Sequence, residues 1–241
     1  MTPERRRRCL ALVVLTEVRV SVSEWLSQRH AIGMVGVHFC ESLASTVIGE
    51  FSRPGDTVLD PFAGYGTSLL VAERMGRRAV GIELLAERAR VIRHRAGAEV
   101  IVHVGDVRAK LEDVASGVQL CFTSPPYMTA TEHAENPLTG YATLDGDYRT
   151  YLDELARIFA RVALLLGDGG RVVLNVADQG PPDAPTPLVT DIGTALERSL
   201  ILEQTIPVVW DTSPVGLFND TLLVFRSRSV TNDASARPAL L

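Results

Sequence analysis

Thr57-Val58-Leu59-Asp60-Pro61-Phe62-Ala63-Gly64-Tyr65-Gly66-Thr67 is the stretch that decides how this chain folds. Residues 57–59 make a short strand, and Asp60 ends it. Gly64 and Gly66 permit a sharp turn and a close approach of backbone to a ligand. From about 67 to 75 the pattern is helical, and Gly76 stops it. A strand therefore gives way to a helix through a glycine turn.

Outward from that unit the same alternation repeats. Upstream, residues 41–51 place Leu43, Val47, Ile48 and Phe51 on one helical face, and residues 53–56 form a turn. Downstream, residues 78–82 read as a second strand ending at Glu83. A helix follows with Leu85, Ala89 and Ile92 on one face. Residues 99–103 are a third strand, ending at Gly105-Asp106. Residues 119–122 are a fourth, ending at Thr123-Ser124-Pro125-Pro126-Tyr127. A long helix from about 148 to 166 carries Leu152, Leu155, Phe159, Val162 and Leu166 inward. Asp168-Gly169-Gly170 ends it, and residues 171–176 give a fifth strand. Residues 187–200 read as helix, and 202–210 with 221–225 as two late strands, an antiparallel pair at one sheet edge. Strands alternating with helices imply right-handed crossovers and a parallel sheet. The expected fold is α/β: one mostly parallel sheet, an antiparallel edge pair, and helices on both faces.

The bulk numbers fit one such domain. The chain has 241 residues, 46% of them hydrophobic, and single cores run to roughly 250 residues before splitting. A net charge of -5 argues against a protein that coats nucleic acid electrostatically, though not against a local basic groove. Arg5, Arg6, Arg7 and Arg8, and the later group Arg88, Arg90, Arg93, His94 and Arg95, read as solvated surface. Cys9, Cys40 and Cys121 are odd in number and widely spaced, and the five histidines show no ligand spacing with them. Neither a disulfide framework nor a metal site is expected, which fits a reducing cytoplasm. The apolar run after Arg8 is too short to span a bilayer, and Glu17 and Arg19 follow it. No membrane partner is expected. Residues 1–37 are taken as an accessory strand or poorly ordered leader, 38–229 as the domain, and 230–241 as a disordered tail. Residues 128–147 lack periodicity and begin right after Tyr127. Loops this long inside a compact domain are functional or disordered, and a substrate-covering loop is the sharper reading.

In open α/β sheets, ligands bind beyond the carboxyl ends of strands where strand order reverses. Asp60, Glu83, Asp106 and Ser124 each stand at such an end. Glu83 follows Asp60 at close to the 20-residue spacing at which an acidic residue grips a ribose diol. Asp106, by side chain or neighbouring backbone, is placed to meet an adenine edge. A Gly-x-Gly turn alone serves NAD, FAD or S-adenosylmethionine. A pyrophosphate wants the backbone amides of the helix end, and a carboxylate at Asp60 would repel it. The same carboxylate suits a ligand's ammonium group.

Residues 60–67, with Gly81-Ile82-Glu83 and 123–127, resemble the amino-methyltransferases that modify cytosine N4 or adenine N6 in DNA. The resemblance spans roughly residues 38–178. It implies a Rossmann-like class I methyltransferase domain that uses S-adenosyl-L-methionine. By that resemblance Asp60, Phe62, Ala63, Gly64, Gly66, Thr67, Glu83, Leu84, Asp106 and Val107 are cofactor-binding. Phe39, next to His38, matches loosely the segment that contacts the methionine moiety. Ser124, Pro125, Pro126 and Tyr127 are the catalytic element that holds the target amine. The chemistry agrees. An exocyclic amine is a poor nucleophile because its lone pair is delocalised into the ring. The Ser124 hydroxyl oxygen and the Pro125 carbonyl can accept its two hydrogens, prolines stiffen that carbonyl's aim, and Tyr127 can stack on the ring. A base in a duplex would first be flipped out. Ser-Pro-Pro-Tyr is the variant associated with cytosine N4, so a DNA substrate and that position are favoured. Two departures bear on the substrate. Many Ser-Pro-Pro-Tyr enzymes place that motif before the cofactor loop, whereas here the loop comes first, an order also shown by RNA base methyltransferases. Only residues 128–147 and 177–220 are available to read a sequence. An RNA base, a small amine, and a non-catalytic cofactor-binding subunit stay open as alternatives, as does a partner, either a second copy or another protein.

Overall fold

The computed structural model describes residues 15–31, 39–130, 135–212, 214 and 217–228. Strand β1 (Val18–Val20) and helix α1 (Val22–Ala31) precede the expected domain. They are followed by α2 (Glu41–Phe51), β2 (Thr57–Asp60), α3 (Thr67–Arg74), β3 (Arg78–Glu83), α4 (Ala86–Arg95), β4 (Val100–Val104), the short α5 (Val107–Lys110) and β5 (Val118–Thr123). Then come α6 (Tyr148–Leu165), β6 (Leu166–Gln179), α7 (Leu188–Leu196), β7 (Leu200–Trp210) and β8 (Leu217–Ser227). One eight-stranded sheet has the order β1-β7-β8-β6-β5-β2-β3-β4. Among the described residues only β8 runs antiparallel to its neighbours, β6 and β7. β1 pairs parallel to β7, so a three-residue strand covers the outer edge of the late pair. Trp25 of α1 meets Trp210 of β7 edge to face, centroids 5.9 Å apart, the geometry aromatic quadrupoles favour.

The central strands are apolar on both sides, as parallel strands covered by helices must be. Val58, Leu120, Phe122 and Val173 face α2, α3 and α4, whose Leu43, Val47, Leu69, Ala89 and Ile92 complete one core. Leu59, Cys121, Val172 and Leu174 alternate to the other face, against Leu155, Phe159 and Val162 of α6 and Leu188 and Ile192 of α7. β3 and α3 lie so close at Gly81 that a Cβ there would stand 2.3 Å from Leu69 Cδ1. No helix among the described residues is long and apolar enough to cross a membrane.

Several boundaries differ from the sequence expectation. Leu85 is not on the inner face of α4; it precedes the helix as its cap residue and is 39% exposed. Leu166 is not the end of α6; it pairs with Val118 and starts β6. Asp168-Gly169-Gly170 therefore lies within the strand rather than closing the helix, in an irregular stretch of β6 where the register shifts between the pairs Val118–Leu166 and Leu120–Arg171. The helix expected over 187–200 stops at Leu196. Local periodicity carries no mark of where a ladder begins, and sheet pairing decided these ends. Residues 1–14, 32–38, 131–134, 213, 215–216 and 229–241 lie outside the described residues, so the reading of the tail has no structural counterpart here, whereas the described part of the 1–37 segment, residues 15–31, carries β1 and α1.

Candidate functional site

Strand order places the site. From β2 the chain moves outward to β3 and β4, then returns to β5 on the other side of β2. The carboxyl ends of β2 and β5 are thus the topological switch point of an open sheet. A cavity of about 510 Å³ opens there, within the range of pockets that hold small ligands. Of the fifteen residues singled out from the sequence, fourteen line it. Gly66 does not. Its role is in the turn: φ is +82°, and a Cβ would fall 2.9 Å from the Ile92 side chain. Gly66 lets α3 start under α4.

One side of the cavity is built on two buried carboxylates. Asp60, 2% exposed, accepts from Phe62 N at 3.1 Å and from Ser68 Oγ. No cation pairs with it among the described residues, and burial raises its pKa to about 6 despite the hydrogen bonds. Glu83, 5% exposed, accepts from Gly64 N through Oε2 and from Leu85 N through Oε1, each at 2.8 Å. Burial raises its pKa too, opposed by the Leu85 amide, the Arg88 guanidinium and the Gly64 amide. It joins the loop after β2 to the loop after β3. Asp106 caps α5 through Arg108 N at 2.8 Å, and its carboxylate is forked by the Arg108 guanidinium, closest approach 2.6 Å. Phe39, stacked on Phe122 at 4.6 Å, joins Phe62, Leu84 and Val107 in supplying apolar wall.

The other side is the turn after β5. Tyr127 Oη donates to the backbone carbonyl of Asn175 at 3.0 Å and lies 2.8 Å from Ser124 Oγ. A phenol has one proton, and a carbonyl can only accept. Ser124 must therefore donate to Tyr127, which leaves its oxygen presenting lone pairs. Burial pushes the Tyr127 phenol well above its usual range, so that proton stays in place. Asn175 is held in turn: its Nδ2 donates to Asp220 Oδ1 at 2.7 Å, and Trp210 Nε1 donates to Oδ2 at 2.7 Å. The Pro126 carbonyl accepts from Tyr151 Oη at 2.9 Å. The Pro125 carbonyl takes no hydrogen bond among the described residues.

Sequence reading missed several lining residues. Tyr65 and Arg88 meet at the rim, the guanidinium 5.2 Å from the ring centroid. Tyr141, at φ +62°, donates from its hydroxyl to the Tyr127 carbonyl at 3.1 Å. It brings Pro137, Leu138 and Gly140 onto the cavity. Gln179 also lines it; the fifth strand was expected to end at 176, which hid Gln179 as one more strand-end residue.

Asp60 makes the fit to a cationic ligand testable. An ionised Asp60 attracts an ammonium or sulfonium, and a protonated one does not. Affinity for S-adenosylhomocysteine, which carries the ammonium, should be level above about pH 7 and fall as pH drops through 6, approaching tenfold per unit. Asp60→Asn should flatten this profile between pH 5 and 7. Calorimetry across that range checks it, and an equally steep profile in the variant removes Asp60 from contact with the charge.

Residues 27–94 match the family model described as DNA methylase. Over 59 residues, 24% of this chain and 22% of the relative, the sequence is 42% identical to the type II methyltransferase M2.DpnII of Streptococcus pneumoniae. The chain thus spans about a fifth of that relative's length. A TehB-like S-adenosylmethionine-dependent methyltransferase from Corynebacterium glutamicum superposes over 86% of this chain and 97% of its own, with TM-score 0.54 and 18% identity. An rRNA methylase from Streptococcus thermophilus does so over 81% and 100%, with TM-score 0.50 and 11% identity. These likenesses bear out the resemblance over the segment that carries the glycine turn and Glu83, which is similar to the DNA methylase model, and the fold is similar to that of an S-adenosylmethionine-dependent methyltransferase.

Proposed function

We propose that this chain methylates the exocyclic amino nitrogen of a nucleobase, with cytosine N4, or adenine N6, in DNA as its target. The observation that carries this reading is the orientation of the β5 turn. Ser124 and Pro125 both offer acceptors at a cavity whose opposite side is acidic, and the Ser124 proton is drawn away into the protein. An amine with two hydrogens to donate matches that pair.

S-adenosyl-L-methionine fits the other half on the structure's own terms. The uncompensated carboxylate of Asp60 calls for a cation, and a pyrophosphate would meet repulsion there. Asp60 would hold the ammonium, Glu83 the ribose hydroxyls, and Phe39, Phe62, Leu84 and Val107 the flat and apolar parts. The carboxylate of Asp106 is engaged by Arg108, so the backbone at 106–107 is the freer route to an adenine edge. When bound, the cofactor supplies an electrophilic methyl group. Ser124 and Pro125 then draw the amine hydrogens toward themselves, and this pulls the nitrogen toward tetrahedral geometry and frees its lone pair. The Tyr127 ring, fixed through its hydroxyl, supports the face of the base. Much of the rate on this reading is positioning. The described residues 135–147 serve as the cover over the acceptor, with Tyr141 as their latch on Tyr127.

Transfer of labelled methyl groups to single-stranded DNA, duplex DNA, tRNA and free nucleosides tests the reading, with digestion and mass spectrometry of the product. N4-methylcytosine or N6-methyladenine in DNA is the expected product. Label confined to tRNA would move the enzyme to RNA, in keeping with its motif order. No label on any base would overturn the proposal.

A further inference from the structure

Gln179 ends β6, the strand beside β5, and lines the same cavity as Ser124 and Tyr127. Its backbone is pinned by a bridge to Thr186, with Thr186 N donating to its carbonyl at 2.7 Å. Thr186 Oγ1 in turn accepts from Ala130 N at 3.0 Å, just past the catalytic turn. The neighbouring Asp178 is occupied, capping Val189 N at 2.9 Å and accepting from Asn219. The Gln179 carboxamide is the exception in this network: its Nε2 is closed off from solvent and has no hydrogen-bond partner among the described residues. A buried donor left unpaired is costly, and native structures keep few of them without a reason.

We infer that Gln179 is a specificity-determining residue whose carboxamide, unpaired in the wall of the cavity it lines, turns into that cavity so that Nε2 donates to the unprotonated ring nitrogen beside the target amine. This inference rests on the nucleobase reading above and deepens it. With the carboxamide turned inward, the one cavity holds acceptors, Ser124 and Pro125, and a donor, Gln179. The complementary ligand edge is an amine flanked by a ring acceptor. Cytosine shows N4–H with N3, and adenine shows N6–H with N1. Guanine shows an N1–H beside its amine on the Watson–Crick edge, where it would oppose the Gln179 donor. Uracil and thymine have no amine. Enzymes that extrude a base read it by hydrogen bonds to that edge.

The test compares oligonucleotides carrying one cytosine or one 3-deazacytosine, and a second pair carrying adenine or 1-deazaadenine. Each analogue keeps the amine and replaces the ring acceptor with C–H. The parent protein, Gln179→Met and Gln179→Glu are measured on each pair for kcat/KM, and for affinity by fluorescence anisotropy with S-adenosylhomocysteine present. Both variants remove the neutral donor while keeping the length of the side chain. The parent should prefer the natural base over its analogue about tenfold more strongly than the variants do, in one pair and in both readouts. Loss of folded protein lowers both members of a pair alike and leaves this ratio untouched, and intrinsic differences in amine reactivity cancel between parent and variant. The pair that shows the coupling identifies the base. Equal ratios in parent and variants, with the parent active, would overturn the role of Gln179 alone. A parent that neither methylates nor discriminates any base would overturn the nucleobase reading, and this inference with it.

Discussion

Ser124→Ala should lower kcat by on the order of 10²-fold, the size seen when one preorganised hydrogen-bonding group is removed from a reacting centre. Affinity for S-adenosylhomocysteine should stay within about twofold of the parent, because no cofactor contact is lost. The hydroxyl sits at the end of a fixed relay. It gives its proton to Tyr127, and Tyr127 gives its own to the Asn175 carbonyl. The oxygen is thus an acceptor before any substrate arrives, and no reorientation is needed at the moment of reaction. Tyr127→Phe separates orientation from contact. It keeps the ring and removes the group that takes the Ser124 proton, so that proton can turn into the cavity and compete with the amine hydrogens. An intermediate loss, about tenfold in kcat, is expected there. Single-turnover methyl transfer with saturating cofactor measures both variants. Parental turnover in Ser124→Ala would sink the role assigned to the β5 turn.

Much of this arrangement was legible in the sequence because it depends on strand ends. Val58 and Leu59 are buried on opposite faces of the sheet, so their run could only be a covered parallel strand, and whatever follows such a strand lies at the sheet's carboxyl edge. Asp60, Glu83, Asp106 and Ser124 were found that way. Hydrogen-bond direction was not legible. Nothing local to Ser-Pro-Pro-Tyr says that Asn175, 48 positions from Tyr127, will take the tyrosine proton. Nor does the sequence show that Arg108 engages Asp106 rather than leaving it to a ligand. β1 escaped notice because three residues carry no period. It exists through Val208, Val209 and Trp210, which give it a ladder. The crowding of Gly66 by Ile92 was not legible either, since a glycine at positive φ has the same signature whether its close neighbour is a ligand or a side chain. Gln179 was missed for a related reason: β6 continues past the expected end while paired to β8 at Asp178 and Gln179.

Glu83→Ala should weaken S-adenosylhomocysteine by on the order of 10²-fold, since hydrogen bonds to a charged group contribute about 1.5–3 kcal/mol. Each Glu83 oxygen already accepts one backbone amide, from Gly64 or Leu85. A carboxylate oxygen has a second lone pair, so both can still take a ribose hydroxyl. The residue would hold the two loops in register and grip the ligand at once, and its loss should act on both. The loop contribution is read from the apo protein: two amides lose a charged partner, and Tm should fall by a few degrees. The ligand contribution is read with a 2′,3′-dideoxy analogue of S-adenosylhomocysteine. If Glu83 holds the diol, the parent binds the analogue weakly and the variant binds analogue and natural ligand alike, so the two losses do not add. Additive losses would confine Glu83 to the loops. Unchanged affinity for the natural ligand would remove it from the ligand site and leave only its bonds to the Gly64 and Leu85 amides as the reason for a buried carboxylate at the end of β3.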